Sequence, residues 1–81
     1  MDMLGDRIAL LRRGRKWSQT ELAKRLHISA SAVGMYEQGR RLPSLSMVVR
    51  LSRVFGVTTD YLLTGKDPQS MTPPPNTNIQ Q

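Results

Sequence analysis

Cysteine is absent from this 81-residue chain, which excludes disulfides and thiolate metal sites. A single histidine, His27, leaves no basis for a multi-histidine metal centre and little for acid–base chemistry. Aromatic residues are scarce, at one Trp, two Tyr and one Phe, so any core must be mostly aliphatic. Acidic residues are also few: six Asp and Glu against twelve Lys and Arg, for a net charge of +6. No apolar run approaches the roughly 20 residues that cross a bilayer. No charged-then-apolar leader opens the chain. Paired catalytic carboxylates, a nucleophile–base arrangement and a glycine-rich phosphate loop are all missing, so no catalytic residue, metal or cofactor is assigned. The expectation is a small, basic, cytoplasmic binding protein.

The charge has a location. Residues 66–81 are rich in Pro, Asn and Gln, with three consecutive prolines and almost nothing to bury, which reads as a disordered tail. That segment holds one base, Lys66, and one acid, Asp67. The whole +6 therefore belongs to residues 1–65, read as a single domain whose own field favours a polyanionic partner.

Residues 1–65 carry five helical patterns and no convincing strand, an all-α, compact five-helix arrangement. The first runs from about Leu4 to Arg13 with Leu4, Ile8 and Leu11 as its apolar stripe. Arg7, Arg12 and Arg13 suit the dipole of its later half, and Gly14 weakens its continuation. Ser18 is placed to cap the second helix, with Glu21 completing a capping box and Trp17 stapled to Leu22. Leu22, Ala23 and Leu26 form its buried face. After His27 and Ile28, Ser29 caps a third helix to about Gln38, with Val33 and Tyr36 or Glu37 inward and Gly39 as left-handed terminator. Ser44 caps the fourth, whose Leu45, Val48, Ser52 and Phe55 share one face. Thr58 or Thr59 opens a short fifth, ended by Gly65.

Two short helices joined by a tight turn form a helix-turn-helix candidate. Ala23 is small enough for the two to cross closely, and Ile28 plugs the turn. The stretches Ser18-Gln19-Thr20-Glu21-Leu22-Ala23, Ile28-Ser29, Tyr36-Glu37-Gln38-Gly39-Arg40-Arg41-Leu42-Pro43-Ser44 and Phe55-Gly56-Val57 with Asp60-Tyr61-Leu62-Leu63 carry a wider likeness. Over residues 5–65 the chain resembles the phage-repressor group of helix-turn-helix proteins, the Cro, lambda-repressor-like or Xre type. The resemblance implies a transcriptional regulator, most often a repressor, that binds a pseudo-palindromic operator in double-stranded DNA as a homodimer. Its third helix would lie in the major groove.

Carried over by position, the resemblance places base reading at Ala30, Ser31, Gly34 and Met35. Phosphate contacts fall at Ser18, Gln19, Tyr36, Gln38, Arg40, Arg41 and Ser44, helped by helix N-termini. A structural ion pair joins Arg12 to Glu37. The chain departs from the group in three ways. Its reading positions lack long hydrogen-bonding side chains, which shifts readout toward thymine methyls, Ser31 and DNA shape. Gly34 inside the reading helix costs about 1 kcal/mol relative to Ala. Lys16 stands where a glycine often ends the first helix, so the loop that follows is expected to differ from the usual form. The competing reading is a protein-interaction module on the same fold, an antitoxin or anti-repressor.

Overall fold

The computed structural model describes residues 3–66, in which five helices and no strand are found. They are α1 (Leu4–Gly14), α2 (Gln19–Leu26), α3 (Ala30–Glu37), α4 (Leu45–Phe55) and α5 (Thr59–Thr64). The tail expected over 66–81 lies, apart from Lys66, outside the described residues.

Local chemistry sets most of the boundaries. Ser18, Ser29, Ser44 and Thr58 each accept a hydrogen bond from the backbone N–H three residues on, at 2.9–3.1 Å. Each bond satisfies one of the orphan donors of a first helical turn. The C-termini are equally uniform. In α1 to α4 one residue turns left-handed, and the N–H after it reaches back to a carbonyl five residues earlier, at 2.9–3.1 Å. Glycine fills that position after α3 (Gly39, φ +73°) and α4 (Gly56, φ +68°). After α1 and α2 it is held by Lys16 (φ +60°) and His27 (φ +59°). The loop after α1 therefore keeps the same closure as the others, with Lys16 adopting the conformation that glycine adopts freely.

The helices close around Ile8, Leu22, Ala23, Leu26, Val33, Tyr36, Val48, Leu51, Phe55 and Leu62. Gly5 allows α1 to approach α3: a Cβ there would stand 2.8 Å from the carbonyl oxygen of Glu37 and closer still to that of Tyr36. In a chain without disulfides, arginines tie the elements together. Arg7 Nε donates to the Leu62 carbonyl at 2.7 Å, and Arg50 Nη1 to that of Leu26 at 2.9 Å. Arg15 donates to the Phe55 carbonyl. These acceptors lie near the C-terminal ends of α5, α2 and α4, where carbonyls lack intrahelical partners and the helix dipole favours a cation.

Three local expectations change in the fold, at Arg7, Leu45 and Glu21. Arg7 is 3% exposed and bonds across to α5, so its role is tertiary rather than a dipole effect on α1. Leu45 is 81% exposed, because the first turn of α4 projects past the core; Val48, Leu51, Ser52 and Phe55 form the buried stripe. Trp17 stacks on Phe55, with ring centroids 5.7 Å apart, and the Arg25 guanidinium lies 4.1 Å from its centroid. The expected box at α2 forms only on the Ser18 side, as the Glu21 carboxylate pairs with Arg25 at 3.1 Å.

Candidate nucleic-acid interface

The α2–turn–α3 unit is held by packing on three sides. Ala23 is 3% exposed at the crossing, Ile28 packs half-buried against the core, and Ala32, Val33 and Tyr36 fix the inner face of α3. At 100° per residue, Ala30, Ser31, Gly34, Met35 and Gln38 fall on the opposite side of the helix. Ser31 and Gln38 are exposed, while Ala30, Gly34 and Met35 are half-buried. This face is low in relief and offers one hydroxyl, one amide and apolar surface.

Cations and polar groups flank that face. The turn after Gly39 ties the Arg40 N–H to the Met35 carbonyl at 2.9 Å, which orients a segment whose Arg40 and Arg41 side chains are exposed. Ser18 and Ser44 are exposed at the N-termini of α2 and α4, and the free N–H groups of those first turns attract anions. Tyr36 is 7% exposed and packs in the core cluster on the inward face of α3.

Arg12 and Glu37 form the expected pair. Arg12 Nε donates to Oε2 at 2.6 Å and Nη2 to Oε1 at 3.1 Å, while Nη1 donates to the Trp17 carbonyl at 2.8 Å. Their side chains are 12% and 8% exposed. The hydrogen bond to Glu37 is the main cause raising the Arg12 pKa above its ordinary value; partial burial pulls it down and Coulomb attraction adds to the rise. Arg12 is thus a cation at any working pH.

Gln19 is half-buried, and its Nε2 donates to Glu37 Oε1 at 3.1 Å. No local pattern signals this contact, which joins residues 18 apart. A groove of about 350 Å³ runs beside the pair, lined by Leu10, Arg13, Gln19, Glu37 and Gln38 among others. It brings Arg13 of α1 alongside Gln19 and Gln38. Arg13 is exposed and is a further cation of this face. Its only sequence signal was its place next to Arg12, read there as a partner of the helix dipole. Among the described residues no group of His, Cys, Asp or Glu could hold a metal ion, and no helix is long and apolar enough to cross a membrane.

A helix-turn-helix family profile, HTH_3, matches residues 8–62, from the middle of α1 to α5. The chain belongs to this family. Within the helix-turn-helix proteins it is 37% identical over 67 residues to the prophage-derived transcriptional regulator YonR of Bacillus subtilis, covering 83% of this chain. It is 39% identical over 69 residues to the transcriptional regulator AnsR of the same organism, covering 85% of this chain. The chain spans 62% of YonR and 59% of AnsR. In three dimensions it is similar to the P22 c2 repressor protein solved with a synthetic operator. That likeness has a TM-score of 0.78 at 29% identity and covers 82% of this chain and 100% of that one. The fold is therefore that of a phage-repressor-like helix-turn-helix domain.

Proposed function

We infer that this chain is a sequence-specific transcriptional regulator, acting as a repressor on a pseudo-palindromic operator with α3 in the major groove. One observation carries the reading: Gln19 lies against α3 at Gly34 and Glu37, and the exposed Arg40–Arg41 segment leaves the C-terminal end of the same helix, tied back to Met35. A groove about 12 Å wide admits a helix, and phosphates on its two walls meet polar groups on either side of that helix. Gln19, Gln38, Arg40 and Arg41 contact phosphates, with the helix N-termini at Ser18 and Ser44. Ala30, Ser31, Gly34 and Met35 face the bases. The family and the operator-bound neighbour support this reading.

Dimerisation is part of the proposal. Leu42 and Leu45 are 80% and 81% exposed, beside Val49 at 39%. Solvent contact of that kind at the start of α4 is relieved by a second copy. The same residues favour the competing reading, a protein-interaction module, and salt separates the two. Duplex binding through Arg40 and Arg41 of two protomers releases counterions and gives a log–log salt slope of about −4. Fluorescence anisotropy of a labelled duplex measures it directly. A slope near zero, or no duplex binding at low salt, contradicts the regulator reading and favours the protein partner.

A further inference from the structure

Two residues of α3 seat the amide of Gln19. Glu37 Oε1 accepts from its Nε2 at 3.1 Å, and Glu37 is itself clamped by Arg12. The amide also lies over Gly34: a Cβ on that glycine would stand 3.7 Å from Gln19 Oε1 and 3.8 Å from Nε2. A carboxylate only accepts, so the nitrogen must be the atom turned toward Glu37, and the amide cannot flip without losing that bond. One N–H then remains as donor. Phosphate oxygens likewise only accept.

We propose that Gly34 and Glu37 are positioning residues that hold the Gln19 amide with its second N–H presented to a DNA phosphate. This rests on the DNA-binding reading above and moves Gly34 out of the base-reading set. The missing side chain makes room for the amide from α2, and close approach of the α3 backbone to bases plays no part. An alanine methyl at 34 meets the amide at ordinary contact distance, so the seat survives it. A valine fills two of the three staggered directions from Cβ and displaces the amide. Gln19 is neutral and releases no counterion, so losing its contact lowers affinity without changing the salt slope.

The test uses the full chain and a mixed-sequence duplex. Gln19→Ala and Gly34→Val each weaken binding about tenfold, the size of one hydrogen bond to a charged group. The double variant Gln19→Ala, Gly34→Val binds as the single variants do. If Gly34→Val costs the same factor again in the Gln19→Ala background, Gly34 does not act through Gln19 and the proposal falls. NMR of the free protein gives a readout that needs no DNA. One Gln19 amide proton is shifted downfield and protected from exchange, unchanged in Gly34→Ala and lost in Gly34→Val. Absence of that signature in the parent chain overturns the seat. An intact signature in a chain that binds no duplex overturns the DNA reading instead, and the phosphate assignment with it.

Discussion

Arg12 and Glu37 face each other across the α1–α3 interface in a two-pronged contact of 2.6 and 3.1 Å. Both side chains are nearly buried, so removing either strands a charge that water reaches poorly. Glu37→Ala is expected to destabilise the domain by about 3 kcal/mol, the size seen when one partner of a buried pair is removed. Arg12→Ala costs at least as much, because the Trp17 carbonyl also loses its donor. Urea unfolding of both variants checks this. A loss below about 0.5 kcal/mol would reduce the pair to a surface contact.

The same interface depends on Gly5. An alanine there would press its methyl into the carbonyls of Tyr36 and Glu37, which are helix backbone and cannot rotate away. Gly5→Ala is expected to destabilise by about 2 kcal/mol, although alanine is the better helix former by about 1 kcal/mol. Thermal unfolding of this variant against the parent gives the sign directly.

Lys16 offers the opposite case. It holds a left-handed conformation at φ +60° that costs an L-residue about 1 kcal/mol and glycine almost nothing. Lys16→Gly therefore raises stability by about 1 kcal/mol, an increase in Tm of about 5 °C for a domain of this size. A fall in Tm would mean that the lysine side chain makes a contact worth more than the backbone strain.

Arg40 and Arg41 carry the electrostatic part of the proposed function. Replacing both with alanine weakens binding to all duplex sequences and makes the salt slope shallower by about 2 per protomer. Stability changes by less than about 0.5 kcal/mol, since both side chains are exposed. Titration of one duplex at several salt concentrations separates this from a folding defect.

What the sequence reveals and conceals follows from distance along the chain. Caps at Ser18, Ser29 and Ser44 and the terminator Gly39 are decided within one turn, and they stand where local chemistry puts them. The inward residues Val33, Val48 and Phe55 follow from helical period alone. Arg7 looked like a helix-dipole residue because its acceptor, the Leu62 carbonyl, is 55 positions away. Leu45 kept the period of its stripe, but period cannot say where the neighbouring helices end. The Glu21 box failed through competition, since an arginine four residues on also satisfies a carboxylate. On the candidate interface, the exposure of Arg40 and Arg41 follows from their place in the turn after Gly39. The seat of Gln19 was not, because it needs the packing of α2 on α3 and of Arg12 on Glu37.

Selection and sequencing of random duplex DNA bound by the purified chain at physiological salt tests the central claim most directly. The account predicts an enriched inverted repeat with half-site centres about 34 Å apart, one turn of DNA. Ser31→Ala or Met35→Ala then shifts the preference at particular base pairs within each half-site. Flat enrichment, with retention that vanishes as salt rises, would contradict it: α3 would read no sequence, and the basic flanks would supply only non-specific affinity.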